Sequence, residues 1–152
     1  MKKITDSLHW ITVTLWVGGL WAIGYIVAPT LFATVDSTTA GTIAGKLFRL
    51  IAYVGFACGG YLLLFRIARF GFASLKQGFF WVTVVMLLFT AASYFGIQPV
   101  MAALKDQFAQ QQIVEEVFRE RFRTWHGISS ILYLIQSLFG VVLVVLQGRA
   151  KF

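Results

Sequence analysis

The sequence predicts an all-α, polytopic membrane protein built as a bundle of four transmembrane helices, because of its composition, its hydropathy and the spacing of its charges. Of its 152 residues, 59% are hydrophobic and 12% are charged, and the mean hydropathy is +0.78. A soluble fold carries about 25% charged residues, and half that density cannot cover a globule of this size. Intrinsic disorder is excluded as well, because it requires low hydrophobicity. The bilayer is therefore the solvent that suits this chain.

Long uncharged runs locate the helices. Residues 7–35, 77–104 and 124–148 carry no charge, and each run exceeds the ~20 residues needed to cross a hydrocarbon core of ~30 Å. A fourth run, 50–65, is too short alone. It reaches spanning length when its helix begins near Thr39 and the stems of Lys46 and Arg49 extend toward the headgroups. The sequence thus predicts one integral membrane domain over 1–152, with helices at about 8–33, 40–66, 78–103 and 123–148.

The basic residues predict an orientation. The first apolar run follows Lys2 and Lys3, but it is nearly twice the ~7–15 residues of a secretory signal, so we expect a retained helix. Four spans place both termini on one side, together with seven basic residues and one acid, Asp6. The opposite side carries six basic residues and five acids. The positive-inside rule then predicts cytoplasmic termini in a bacterial inner membrane, and it assigns the net charge of +7 to lipid and not to nucleic acid.

Residues 104–122, between the third and fourth spans, are amphipathic. Apolar side chains recur at roughly helical spacing, while charged residues fill the other positions, with Glu115 and Arg119 at the favourable i, i+4 spacing. This pattern predicts an interfacial helix in the outer headgroup region. A solvated extension of the third span explains it equally well, and the sequence leaves both open.

Small and polar residues indicate how the helices pack. The pairs Gly41/Gly45 and Gly55/Gly59 are predicted to be close contacts within the bundle. A polar stripe is expected to face a shared interior, and its members are Thr12, Trp16, Gln98, Ser129, Ser130, Tyr133, Gln136 and Ser137. Such a stripe is either a set of hydrogen bonds that sets helix register or the lining of a ligand cavity. The sequence does not decide between the two.

Two histidines are the main candidates for chemistry. His9 and His126 open spans at opposite sides of the membrane, roughly 30 Å apart, so they cannot share a metal ion within one monomer. His126 lies at the depth of Met101 and Gln98, a set that could hold copper or a polar ligand. Each histidine also neighbours a tryptophan, as interfacial anchors do. A single cysteine, Cys58, excludes an internal disulfide and a multi-cysteine zinc site.

Several functional classes lack support in the sequence. No charged residue lies in the central part of a predicted span, which disfavours a proton relay or an ion pathway. The chain also lacks a nucleophile elbow, a P-loop, a zincin motif and a catalytic carboxylate pair. We therefore expect a protein that is not an enzyme.

Four stretches carry a resemblance to a known family: LWVGGLW at 15–21, APTLFA at 28–33, residues 40–48, and FRTWHGISS at 122–130. They resemble the bacterial, domain-of-unknown-function 4149 type of the transmembrane protein 205-like family. That resemblance implies a small four-helix membrane protein without an established activity. A more distant similarity, to the copper-resistance D superfamily, rests on His9 placed seven residues before Trp16. It implies haem or copper binding at His9.

Three functional hypotheses follow. The first is an accessory or binding subunit of the membrane, acting with a membrane protein partner or as a homo-oligomer. The second is haem or copper handling, through His9 as the cofactor ligand or through His126 with Met101 as metal ligands. The third is small-solute transport by an oligomer, because four helices enclose little more than their own core.

Overall fold

The computed structural model describes the backbone of residues 2–149 and side chains from 7 to 148. Helices joined by short turns make up this part of the chain, and it contains no strand. In order, the elements are α1 (Lys2–Trp21), a π-helical segment (Ala22–Val27), α2 (Ala28–Thr34), α3 (Ser37–Phe70), a 3-10 segment (Gly71–Lys76), α4 (Gly78–Ala91), a second π-helical segment (Ala92–Ile97), α5 (Gln98–Ala109) and α6 (Glu115–Arg149).

Four stretches of helix are long and apolar enough to cross a membrane, which confirms the predicted fold class. They are span 1 (Ser7–Thr34), span 2 (Ser37–Lys76), span 3 (Gly78–Ala109) and span 4 (Glu115–Gly148). We call the end where α1 begins and α6 ends the terminal end. The distal end carries the turns at 35–36 and 110–114.

The spans form a four-sided bundle in which span 1 packs on spans 2 and 4, and span 3 also packs on spans 2 and 4. Its dry core includes Trp16, Leu62, Met86 and Leu143, all completely buried. In lipid, packing of this kind holds helices together where the hydrophobic effect contributes little between them.

The pair Gly55/Gly59 is the close contact that the sequence predicts. Both glycines are buried on α3. A methyl group on Gly55 would lie 2.8 Å from Trp16 Nε1, and one on Gly59 would lie 2.6 Å from Leu87 Cδ2. Spans 1 and 3 therefore approach span 2 at positions where no side chain fits. By contrast, a methyl group on Gly45 would meet nothing within 4 Å, and one on Gly41 would lie 3.3 Å from Nζ of the flexible Lys105 side chain. The pair Gly41/Gly45 is therefore not packed in the same way.

Spans 1 and 3 each contain one π-helical segment followed by a proline. The amide of Ala28 donates to Ile23 O, and the amide of Gln98 donates to Ser93 O, both in the wider i to i+5 pattern. Pro29 and Pro99 come one residue later. A proline ring clashes with the carbonyl four residues earlier in an α-helix, and a wider turn relieves that clash. The two bulges lie in equivalent parts of spans 1 and 3.

Residues 104–122 form a hairpin rather than a separate interfacial helix. Helix α5 continues to Ala109 and α6 begins at Glu115, so both membrane spans extend beyond the predicted bounds. The two extensions meet through aromatic rings. Phe108 stacks on Phe118 with ring centroids 4.4 Å apart, and Phe118 contacts Phe122 at 5.5 Å. The apolar side of the amphipathic pattern therefore joins the two helices to each other.

Asp36 starts α3. Its Oδ1 accepts hydrogen bonds from the amides of Thr39 at 2.9 Å and Thr38 at 3.1 Å, a typical helix N-cap. These bonds favour the ionised carboxylate, with Thr39 contributing most, and they lower the pKa of Asp36. Asp36 thus acts as a helix cap in the turn between spans 1 and 2.

Candidate functional site

A cavity of about 930 Å³ opens in the distal half of the bundle. There α2 packs on α3 and α5 packs on α6, and the cavity lies between these two helix pairs. Along span 4 its lining runs from Phe122 to Gln136, which is ~21 Å at 1.5 Å per residue. The volume falls within the range of roughly 300–1,000 Å³ that is typical of small-molecule sites.

Small residues leave this space empty. The lining includes a set with side chains no larger than a hydroxymethyl group, namely Gly24, Ala28, Gly41, Ala44, Gly45, Ala52, Ser93, Ala102, Ser129 and Ser130. In the terminal half, larger side chains such as Trp16 and Met86 fill the equivalent space. The difference in side-chain volume between the two halves therefore determines where the bundle is open.

The floor of the cavity is closed by hydrogen bonds between helices. Gln136 Nε2 donates to Thr90 Oγ1 at 2.8 Å, and Thr90 Oγ1 in turn donates to Met86 O at 2.9 Å. Tyr133 Oη donates to Leu20 O at 2.6 Å. Span 4 is thereby joined to span 3 through Gln136 and to span 1 through Tyr133, and these polar groups use their donors within the bundle.

The lining of the cavity is basic. It includes Lys46, Arg49 and Lys105, together with one carboxylate, Asp106. Lys105 Nζ donates to Gly41 O at 2.9 Å. This bond crosses from α5 to α3 and so connects the two helix pairs over the cavity.

The basic groups of the cavity have no carboxylate partner among residues 7–148. The ion pair found in that part of the chain lies elsewhere, between Arg119 Nη1 and Glu115 Oε1 at 4.0 Å, and both side chains are largely exposed. The cavity therefore contains basic groups that form no ion pair with a described carboxylate. The polar side chains of its floor already donate hydrogen bonds to other helices.

The predicted polar stripe divides between cavity and core. Its cavity-lining members are Gln98, Ser129, Ser130, Tyr133 and Gln136. The other three, Thr12, Trp16 and Ser137, are buried and do not line the cavity. Tyr133 and Gln136 thus join helices, while the same face of span 4 borders the cavity. Ligand binding by this stripe stays a prediction.

His126 and Met101 both line the cavity, on α6 and α5, the two helices of one pair. The ring of His126 stacks on Phe122 with centroids 5.8 Å apart and planes 7° apart. Residues 7–148 contain no group of three or more His, Cys, Asp or Glu residues placed to hold a metal ion. A metal at His126 would therefore depend on softer or neutral ligands such as Met101 and Gln98.

His9 lies at the terminal end and is completely buried. Its ring contacts Phe65 and Phe79, each at a centroid distance of 5.2 Å. Aromatic side chains thus enclose the His9 ring, and full burial distinguishes His9 from a lipid-facing anchor. Haem or copper binding at His9 stays a prediction.

Arg66, at the end of the predicted second span, is a buried cation. It is 3% exposed, its Nη1 donates to Gln77 Oε1 at 2.7 Å, and its guanidinium lies 4.3 Å from the Phe79 ring centroid. The helical period could have predicted this burial, because Gly59, Leu62 and Arg66 follow one another at spacings of three and four residues and so share one buried face of α3. The importance of Lys105 had no such signal, since it depends on the approach of α5 to α3.

These helices define a small multi-pass membrane protein with a cavity in one half of its bundle. The family described as a domain of unknown function, DUF4149, matches residues 11–110, and the chain belongs to it. No curated protein and no solved structure matches the chain. The finer resemblances, to transmembrane protein 205-like and copper-resistance D proteins, receive no support from these comparisons.

Proposed function

We propose that this protein is a binding subunit of the membrane that holds a small amphipathic molecule in its distal cavity. The observation that carries the proposal is the cavity itself, about 930 Å³ between two helix pairs. A cavity of this size leaves its lining side chains with fewer of the packing contacts that join helices in lipid. A ligand that fills it restores them.

The lining suits an amphiphile. Apolar side chains such as Leu20, Phe48, Ile51 and Ile97 alternate with hydroxyl and amide groups and with the basic distal residues. Ligand sites are commonly apolar with a few placed polar groups. A molecule with one polar end and an apolar body would match both parts of this surface.

The test compares two glycines that both have room for a side chain. A methyl group on Gly45 or on Gly18 would meet nothing within 4 Å, but Gly45 lines the cavity and Gly18 does not. Purified wild type, Gly45→Trp and Gly18→Trp are incubated with a short-chain phospholipid in mild detergent, and retained lipid is counted by native mass spectrometry. We expect Gly45→Trp to lose the retained lipid and Gly18→Trp to keep it. Equal retention in all three proteins would refute the proposal.

Copper handling through His126 and Met101 is a second candidate, because both residues line the same cavity. Imidazole and thioether are ligands suited to Cu(I). Titration with Cu(I) under anaerobic conditions should then saturate at one ion per chain, and His126→Ala and Met101→Leu should each weaken binding. Identical titrations of the wild type and both variants would exclude this site.

The orientation follows from the basic residues at the terminal end. We place both termini in the cytoplasm of a bacterial cell, with the cavity in the outer half of the inner membrane, because short basic segments remain inside. A reporter enzyme active only outside the cytoplasm, fused after Phe152, should be inactive. Activity of that fusion would reverse the orientation.

An accessory role requires a partner, which is either another membrane protein or a second copy of this chain. Stable co-purification of one membrane protein would support the first, and a dimer mass in native mass spectrometry would support the second. Oligomeric transport of a small solute would instead give substrate-dependent flux in proteoliposomes.

A further inference from the structure

The distal part of the cavity carries an imbalance of charge that indicates what kind of headgroup it takes. Resting on the proposed function, we infer that the bound molecule is an anionic phospholipid, with its phosphate held by Lys105 together with Lys46 and Arg49 and its acyl chains directed toward the middle of the bundle. The lining contains these three basic residues and one carboxylate, Asp106.

Lys105 is placed to bind a phosphate. Its Nζ donates one hydrogen bond, to Gly41 O at 2.9 Å, and an ammonium group carries three donors. Two donors remain for a ligand in the described surroundings. The bond to Gly41 also holds the ammonium over the cavity, so the long side chain is already ordered when an anion arrives and less entropy is lost on binding.

The depth of Lys105 matches the direction of a lipid in a leaflet. Lys105 lies four residues before the end of α5, and Gly41 lies four residues after the start of α3. Both are at the distal end, where headgroups lie. Deeper in the cavity the lining includes Leu20 and Ile51, and the polar floor residue Gln136 already donates to Thr90. The phosphate therefore belongs at the basic end and the chains at the apolar end.

An anionic headgroup is favoured over a zwitterionic one because it carries no positive group that the basic side chains of the cavity would repel. The choline or ethanolamine of a zwitterionic lipid would lie near Lys46 and Arg49, both of which line the cavity. Charge at the distal end therefore selects among lipids whose chains are identical.

The experiment measures this selection directly. Wild-type protein in mild detergent is titrated with phosphatidylglycerol and with phosphatidylcholine of the same short chains, and retained lipid is counted by native mass spectrometry. We expect the wild type to prefer phosphatidylglycerol by about tenfold, which corresponds to about 1.4 kcal/mol. We expect Lys105→Gln and, separately, the exposed Arg49→Gln to lose most of that preference. Lys76→Gln, at the terminal end, is the matched control and should keep it.

Other outcomes separate the headgroup from the cavity. An unchanged preference in both Lys105→Gln and Arg49→Gln would overturn the headgroup assignment, while loss of all lipid in Gly45→Trp would still support the cavity. Complete displacement of phosphatidylglycerol by millimolar inorganic phosphate would assign the site to a soluble anion and overturn the lipid. Absence of any retained lipid in wild type would overturn both proposals.

Discussion

Two adjacent glycines of α3 provide a sharp test of the bundle, because they differ in what a methyl group would meet. At Gly59 the added carbon would lie 2.6 Å from Leu87 Cδ2, 2.7 Å from Leu87 Cγ and 3.0 Å from Trp16 Cη2. At Gly60 it would meet nothing within 4 Å. Trp16 is fully buried, so it cannot move aside, and the Leu87 contact includes the branching carbon and not only a methyl end.

The expected magnitudes follow from these contacts. Replacing glycine by alanine inside a helix gains about 0.5–1 kcal/mol, and both variants receive this gain. Overpacking a filled interior costs about 1–3 kcal/mol, and only Gly59→Ala incurs it. We therefore expect Gly60→Ala to stabilise the protein slightly, and Gly59→Ala to be less stable than Gly60→Ala by about 1–3 kcal/mol.

The assay is unfolding in mixed micelles of increasing SDS fraction, followed by tryptophan fluorescence, with the thermal midpoint in mild detergent as a second readout. Equal stability of Gly59→Ala and Gly60→Ala would refute the close approach of spans 1 and 3 to span 2. A gain in stability for Gly59→Ala would refute it more strongly.

Three further predictions concern single contacts. Tyr133→Phe removes the hydrogen bond to Leu20 O and should cost about 0.6–1.7 kcal/mol in the same assay, the range measured for such bonds in membranes. Phe118→Ala removes the stacked contact with Phe108 and should raise amide exchange in the 110–114 turn, since such pairs contribute about 0.5–1.5 kcal/mol. Asp36→Asn should keep the helix cap but remove its titration. Because the Asp36 pKa is lowered on folding, wild type should lose thermal stability relative to this variant only below about pH 4.

Matched comparisons make these results specific. Tyr25→Phe lacks an equivalent helix-to-helix bond among the described contacts and should leave stability unchanged, so an equal loss in both tyrosine variants would contradict the first prediction. Phe72 is 91% exposed, and Phe72→Ala should not alter exchange in the turn. For Asp36→Asn, a difference from wild type that changes between pH 5 and 8 would show that another group is responsible.

The positions of the spans can largely be predicted from the order of charged residues along the sequence. The spans are recognisable because a charged group inside the hydrocarbon core is costly, so the interruptions near Asp36 and Lys76 mark span ends without knowledge of packing. The same logic separates His9 from His126, since residues at opposite ends of a membrane helix cannot meet. A helix that must cross lipid is constrained along its own length, and that constraint can be read one segment at a time.

Helix ends and local bends were less predictable. The proline positions Pro29 and Pro99 indicate a disturbance, but the π-helical segments that precede them depend on how each helix accommodates the ring. Residues 104–122 have the pattern of an interfacial helix, and the pairing of Phe108 with Phe118 turned that pattern into a hairpin. An amphipathic pattern predicts that the apolar side of a helix is covered, but it does not predict whether lipid or another helix covers it.

The cavity was decided by tertiary structure alone. Gly41/Gly45 and Gly55/Gly59 are equivalent in sequence, four residues apart on one helix, yet the first pair lines an open volume and the second is pressed against Trp16 and Leu87. A small residue permits another helix to approach closely but does not cause the approach, because a side chain of the neighbouring helix must extend as far as the glycine. The composition and the spacing of charges in the sequence thus predicted by themselves that this chain belongs in a bilayer as four helices. The distances between those helices determined where the bundle has room for a ligand.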